Sequence, residues 1–154
     1  MKLSNNFTLS ELTKSQTATR KGIDNSPDEE QLANLVALCE NVLQPIRDHF
    51  GKPVRISSGL RVLELNTAIG SSSTSDHVKG LAADIEVPGI DNFVLSQWIV
   101  DSGIAFRQLI LEFYTAGIPD SGWVHVSYSL ADNKKQVLTA AKQQGKTVYL
   151  NGLA

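Results

Sequence analysis

The chain has 154 residues, of which 42% are hydrophobic and 19% are charged. A chain of this length can bury one core, and its composition excludes disorder as the main state. The formal net charge is −2 at pH 7, so we expect neither nucleic acid nor an anionic membrane as the main partner. No apolar run reaches the roughly 18 residues of a membrane helix. We expect a single domain over residues 1–154, and a monomer.

The N-terminal segment is polar and lacks the apolar region of a secretory signal peptide. We therefore expect synthesis in the cytoplasm and, for any action outside it, a route that reads no signal peptide. The single cysteine, Cys39, excludes an internal disulfide. Its place on the apolar face of a predicted helix indicates a small buried hydrophobic residue.

Capping residues and apolar residues at helical spacing predict three helices, at residues 9–15, 26–50 and 91–103. Thr8 and Ser26 are each followed three residues later by a glutamate, which is the spacing of a capping box at a helix start. Residues 17–25 are predicted to be a loop. Pro45 removes a backbone donor and is expected to kink or end the second helix. One further helical turn is predicted near residues 64–69.

Short apolar or alternating runs predict four strands, at residues 52–57, 81–87, 106–113 and 123–129. The tail after residue 133 suggests a turn of helix and a last short strand. Helices that are segregated from a series of strands are typical of an α+β domain. We therefore predict a small α+β domain, mainly an antiparallel sheet flanked by helices, with its motifs concentrated in residues 50–130.

Two segments carry candidate metal ligands. His77 ends a loop and Asp84 follows on a strand, and Gly80 between them permits a sharp turn. In the strand 123–127, alternation places His125 on the face opposite the valines. Two histidines and one carboxylate are a common ligand set of catalytic zinc, in which three protein ligands leave a fourth position for water. The imidazoles must be neutral and the carboxylate ionised, so metal binding should fail in acid.

Two further charged residues suit a catalytic metal site. Glu112 lies in an apolar strand, where burial would raise the pKa of its carboxyl toward the range of a general base. Arg61 follows Ser58 and Gly59 in the loop before the first histidine. Its fixed cation could hold a substrate carboxylate or polarise a carbonyl.

Three motifs, in this order, resemble those of the zinc D-alanyl-D-alanine carboxypeptidases, a group that includes L-alanyl-D-glutamate endolysins and vancomycin-resistance dipeptidases. They read Ser58-Gly59-Leu60-Arg61, Ser75-Asp76-His77-Val78-Lys79-Gly80-Leu81-Ala82-Ala83-Asp84 and Trp123-Val124-His125. The resemblance covers roughly residues 5–130 and is greatest to the compact members carried by phages and prophages. It implies the fold shared with the hedgehog signalling domain, a small α+β domain with an antiparallel sheet as its floor.

The resemblance also implies a function, namely a zinc peptidase that cleaves stem peptides of bacterial peptidoglycan and uses Zn²⁺ as its cofactor. The residues that it assigns are the zinc ligands His77, Asp84 and His125, together with Arg61, which would contact the substrate carbonyl or terminal carboxylate. We also expect Ser75 and Trp123 to bind substrate. Such a protein would act on the cell wall after a phage-type release or as part of a virion.

Three departures from the family pattern bear on the site. Leu60 stands where tyrosine is usual, which is expected to alter the cleft. Asp76 stands where glutamine is common, and it adds negative charge beside a ligand. Gly122 occupies the position, three before the last histidine, where the dipeptidases carry their catalytic glutamate. The base must then come from elsewhere, with Glu112 as the first choice and Asp120 as the alternative.

Two alternatives stay open at this point. The enzyme is either a carboxypeptidase or an endopeptidase, because loop shape sets the specificity for a chain terminus. The second alternative is a non-catalytic zinc-binding module with a hedgehog-like site, which the missing glutamate at position 122 keeps open.

Overall fold

The computed structural model describes residues 1–154, which form six α-helices and eight β-strands. The helices are α1 (Leu9–Thr13), α2 (Gln16–Lys21), α3 (Glu29–Leu38), α4 (Gln44–Phe50), α5 (Leu63–Ala68) and α6 (Asn92–Asp101). The strands are β1 (Lys2–Ser4), β2 (Phe7–Thr8), β3 (Arg55–Ser58), β4 (Ala82–Glu86), β5 (Gln108–Glu112), β6 (Trp123–Ser127), β7 (Gln136–Gln143) and β8 (Lys146–Asn151). No helix has the length and hydropathy needed to cross a membrane.

Six of the strands form one sheet in the order β3-β4-β6-β5-β7-β8, and β1 pairs with β2 in a separate small sheet. All neighbours in the large sheet are antiparallel except β5 and β7, which are parallel. The architecture confirms the predicted α+β class with a mainly antiparallel sheet. The four predicted strands are all present, each a few residues shorter than predicted.

The large sheet has one face toward the core and one toward a cleft. Alternate residues of β4, β5 and β6 are completely buried on the core face, among them Ile85, Leu109, Leu111, Val124 and Val126. They join a single apolar cluster with residues of α3 and α4, including Leu35, Leu38 and Ile46. The residues between them in the sequence, such as Asp84 and His125, point to the other face.

The long helical segment differs in detail from the prediction. It begins at Asp28, whose side chain accepts a hydrogen bond from the backbone N–H of Gln31, so the capping box is shifted by two residues from Ser26. Pro45 does not end the segment, because a π turn at Cys39–Leu43 precedes it and places the proline in the first turn of α4. A helix tolerates proline there, since the missing N–H has no helical acceptor.

Two other predictions are wrong in detail. Helix α2 (Gln16–Lys21) takes up the first part of the predicted loop 17–25, because the Ser15 side chain caps it and Gly22 ends it with a φ of +67°. The tail contains no turn of helix, because β7 and β8 form a hairpin. Gln144 and Gly145 both have positive φ, as a two-residue hairpin turn requires.

Candidate metal centre and cleft

His77 is positioned by a short 3₁₀ helix, Asp76–Lys79, that comes shortly before β4 in the chain. The Ser75 hydroxyl caps this helix by accepting a hydrogen bond from the backbone N–H of His77. Gly80 ends it with a φ of +76°, and a Cβ there would lie 2.8 Å from the carbonyl oxygen of Gln31. The motif glycine is therefore required twice, for its backbone conformation and for its lack of a side chain.

Asp84 and His125 are direct partners across the antiparallel pair β4–β6, so both side chains point to the cleft face. His125 Nδ1 lies 3.1 Å from Asp84 Oδ1, and His77 Nε2 lies 3.3 Å from the same oxygen. The ligand atoms of the three residues all lie within 4.8 Å of one another. The structure thus brings together the three residues predicted as metal ligands.

The donor atoms of this cluster fit a zinc ion. His77 Nδ1 lies 2.7 Å from the carbonyl oxygen of Gly59, and a carbonyl can only accept, so Nδ1 carries the proton. In the neutral ring, Nε2 then presents its lone pair to the Asp84 carboxylate. Two acceptors that face each other in a buried site need a cation between them. Tetrahedral zinc, with bonds of about 2.1 Å, separates its ligand atoms by about 3.4 Å, close to the distances found here.

The charge state of Asp84 suits this role. Burial by itself raises the pKa of the Asp84 carboxyl, but the close approach of His125 and His77 outweighs burial and holds the pKa well below its ordinary range. The carboxylate is therefore ionised at neutral pH, as a metal ligand must be.

A cleft of about 480 Å³ opens over the cluster. It is lined by Arg61, Ser71, Thr74, Ser75, Asp76, His77, Asp84, Arg107, Gln108, Ile110, Glu112, Trp123, His125 and Tyr149. Every residue predicted for catalysis, metal binding or substrate binding is in this set, apart from the alternative base. Asp120 is exposed in the loop before β6 and does not line the cleft.

Glu112 reaches the cleft from β5. Alternation from Ile110, the partner of His125, places it on the cleft face. Burial raises the pKa of the Glu112 carboxyl, and the nearby Asp84 carboxylate adds to the rise. A hydrogen bond of 2.8 Å from the indole N–H of Trp123 opposes the rise by stabilising the carboxylate. The indole also holds the carboxylate on the cleft side of the sheet.

The backbone at position 122 explains why a glycine, and not a glutamate, occupies it. Its φ is +63°, and a Cβ there would lie 1.9 Å from the backbone oxygen of Glu112. The backbone thus has no room for any side chain at this position. Asn92, which is buried, donates to the carbonyls of Ser121 and Gly122 and fixes this close approach.

Arg61 is held by neutral partners. Its guanidinium donates to the Asn66 side-chain oxygen and to the Ser58 hydroxyl, each at 3.2 Å. Burial lowers the pKa of Arg61 and the carboxylates of Asp84 and Glu112 oppose this, yet a guanidinium stays protonated at any ordinary pH. Its backbone N–H also donates to the carbonyl of His77 at 3.0 Å.

Two departures noted in the sequence have structural consequences. The Asp76 carboxylate faces Arg107, with 3.2 Å between Oδ2 and Nε, so its charge is paired. Leu60 is 1% exposed and does not line the cleft. Leu60 borders a neighbouring cavity instead, which it shares with Arg61.

Several residues of the cleft were not predicted from the sequence. Gln108 and Ile110 follow from Glu112 by strand alternation, and that signal could have found them. Arg107 lies directly before β5 and belongs to no motif. The position of Tyr149 in the cleft could not be predicted, because the sequence suggests a last strand but does not indicate which strand it pairs with.

The comparison with protein families agrees with this geometry. The chain belongs to the peptidase M15 family, whose model matches residues 5–127. This family comprises zinc-dependent hydrolases, and the His77, Asp84 and His125 cluster can bind the metal that it requires. A search among curated proteins finds no match.

Proposed function

We propose that this protein is a zinc-dependent peptidase that cleaves a peptide bond in the stem peptides of bacterial peptidoglycan. The observation that carries the proposal is the convergence of His77 Nε2 and His125 Nδ1 on one oxygen of Asp84, in a cleft that also holds Glu112 and Arg61. Peptidoglycan as the substrate is supported by the three motifs that resemble D-alanyl-D-alanine carboxypeptidases and endolysins.

Zinc held by the three ligands would polarise the scissile carbonyl and increase the acidity of a water molecule beside it. Glu112 is the proton carrier. As a carboxylate it accepts a proton from that water while the water oxygen bonds to the carbonyl carbon. It then returns the proton to the amide nitrogen as the C–N bond breaks, so the same carboxyl serves both halves of the reaction.

Arg61 binds and orients the substrate. Its partners are neutral oxygens, so its charge is available for a carboxylate of the stem peptide or for the carbonyl next to the scissile bond. Asn66 and Ser58 hold the guanidinium in place before the substrate arrives, which reduces the ordering that binding must impose. A carboxypeptidase would use Arg61 to bind the terminal carboxylate.

Digestion of purified cell walls, followed by mass spectrometry of the muropeptides, tests the substrate and identifies the cleaved bond. We expect new stem-peptide termini with wild-type protein and none after treatment with a chelator. Lysis that persists with chelator would remove zinc from the mechanism. Unchanged muropeptides with zinc-loaded protein would favour a non-catalytic zinc-binding module.

The base assignment has its own test. Glu112→Gln and Glu112→Ala should lower turnover by about 100-fold or more, the usual contribution of a general base, and should leave the bound zinc in place. Asp120→Asn is the matched control and should retain the wild-type rate. Full activity of the Glu112 variants would make Asp120 the next candidate.

We further propose that the protein acts on the wall after a phage-type release or as part of a virion. Support comes from the resemblance to compact phage and prophage members. Fractionation of particles and of lysed cells, followed by detection of the protein in each fraction, tests both routes.

A further inference from the structure

The last two strands form a hairpin beyond the region that matches the family, which ends at residue 127. β7 pairs with β5, the strand that carries Glu112, and β8 pairs with β7. The hairpin therefore extends the sheet on the side of the proposed base. Because the same sheet forms the floor of the cleft, the hairpin also extends that floor.

The register of these strands places one aromatic residue at the level of Glu112. Glu112 lies opposite Ala140, and Ala140 lies opposite Tyr149. Paired residues on neighbouring strands share a face, so all three point to the cleft side. Neighbouring strands lie about 4.8 Å apart, which puts Tyr149 about 10 Å from Glu112. Ala140 between them has only a methyl group, and Tyr149 lines the cleft.

The two ends of the cleft differ in chemistry. Asp76 and Arg107 form an ion pair at one end. At the other end the cleft is lined by the indole of Trp123 and by the ring of Tyr149, which is 58% exposed. An exposed aromatic side chain on a cleft wall offers a large, rigid apolar surface that costs little conformational entropy to use. This end is suited to an alkyl group.

We propose that Tyr149 determines specificity, its ring packing against the alkyl side chain of the substrate residue on the Glu112 side of the scissile bond. This inference rests on the proposed function, because the occupant of the cleft is taken to be the stem peptide. An alkyl side chain at that position gains contact with the ring, whereas glycine does not. The hairpin thus selects among peptides that the three motif segments bind alike.

The test compares Tyr149→Ala and Tyr149→Phe with the control Leu150→Ala. Leu150 is adjacent in β8, 40% exposed and on the opposite face, so its replacement removes a similar apolar side chain from the same strand. Two peptides are used, which differ at the residue on the Glu112 side of the scissile bond. One has an alkyl side chain there and the other has glycine. Tyr149→Ala should raise KM about fivefold for the alkyl peptide alone, with kcat and zinc content unchanged. Tyr149→Phe and Leu150→Ala should match the wild type.

A binding measurement separates this inference from the proposed function. Calorimetric titration of the same peptides into Glu112→Gln protein, with and without Tyr149→Ala, should give the same fivefold loss for the alkyl peptide. Wild-type protein that cleaves the peptides while Tyr149→Ala leaves KM and the dissociation constant unchanged overturns the role of Tyr149 alone. Equal losses in Tyr149→Ala and Leu150→Ala overturn it too, because they reveal a structural effect of the hairpin. Wild-type protein that binds the peptides without cleaving them contradicts the proposed function instead.

Discussion

The hydrogen bond between Trp123 and Glu112 joins a motif residue to the proposed base. Glu112 is subject to opposing influences, with burial and Asp84 raising the pKa of its carboxyl and the Trp123 indole lowering it. A base near a metal must be ionised to work and must also release its proton to the leaving group. The tryptophan of the last motif therefore adjusts the base as well as lining the cleft.

Trp123→Phe should shift the pH dependence of activity. The base works as a carboxylate, so activity falls as the pH decreases through the pKa of Glu112. Loss of the indole N–H removes a contact that lowers this pKa, so the acidic limb of kcat/KM should move to higher pH. Phe113→Leu, which changes the packing of the Phe113 ring against Trp123 but keeps the hydrogen bond, should leave the limb in place. If the acidic limb of kcat/KM does not move in Trp123→Phe, the role given to the indole is contradicted.

Asp76 and Arg107 form the other residue pair that lies beside a proposed ligand. Arg107→Ala would leave the mostly buried Asp76 carboxylate without its cation and should lower the free energy of unfolding by about 1–2 kcal/mol. Adding Asp76→Asn should recover most of the loss, because the unpaired charge is removed. Urea denaturation of the metal-free variants measures both effects. Arg55→Ala, which breaks an exposed ion pair with Glu86, should cost under about 0.5 kcal/mol.

At the level of elements, the strands of the site were predictable and the hairpin was not. Alternation in 123–127 identifies a core face and a site face, because the two valines point to the core and His125, which lies between them, points to the cleft. The segment Gln136–Gln143 contains alanine, lysine and glutamine, which favour helix. Pairing with the free edge of β5 overrides this local preference, and no signal in the sequence reports that edge.

The loop between β5 and β6 depends on one glycine. Gly122→Ala should lower the free energy of unfolding by about 2 kcal/mol or more, because it combines an unfavourable backbone conformation with a contact to the Glu112 backbone. Gly117→Ala in the same loop is a matched control. Gly117 also has a positive φ, of +87°, but a Cβ there meets nothing within 4 Å, so only the conformational cost of about 1 kcal/mol remains. If chemical denaturation shows the same loss in the free energy of unfolding for both variants, the close approach of Gly122 to the Glu112 backbone is contradicted.

On the scale of the whole molecule, the three proposed ligands come from separate parts of the chain. His77 belongs to a 3₁₀ helix, Asp84 to β4 and His125 to β6. A metal bound to all three joins segments that the unfolded chain keeps apart. Metal binding should therefore contribute to folding as well as to catalysis.

Removal of metal should lower the midpoint of thermal unfolding. Zinc at 100 times its dissociation constant adds about 2.7 kcal/mol to the free energy of unfolding, and a chelator should abolish that gain. His77→Ala and His125→Ala should lose bound zinc and melt at one temperature with or without chelator. His49→Ala is the control, because this exposed histidine stacks on Trp98, which packs against the apolar core, and neither residue lines the cleft. This variant should respond to chelator like the wild type. Equal zinc content in a ligand variant and in the wild type would remove that residue from the ligand set.

How far the sequence predicts the molecule depends on the range of the interactions. The cap at Thr8, the turn at Gly80 and the two-faced strands are local, and each was predicted from neighbouring residues. The partner of Asp76 and the strand beside β5 depend on residues that are distant in the chain, and no local pattern indicates them. The three motif segments are an exception, because their joint occurrence in one order carries long-range information.

Two hydrogen bonds connect the loop of Arg61 to the segment of His77, one from the imidazole to the carbonyl of Gly59 and one from the backbone N–H of Arg61 to the carbonyl of His77. The backbone that carries Arg61 and the segment that carries the His77 imidazole are consequently held together. By thermodynamic linkage, an anion that binds Arg61 more tightly when zinc is present must strengthen zinc binding by the same factor. Substrate would then protect the enzyme from chelators, so the resting enzyme should lose its metal more readily than the working one.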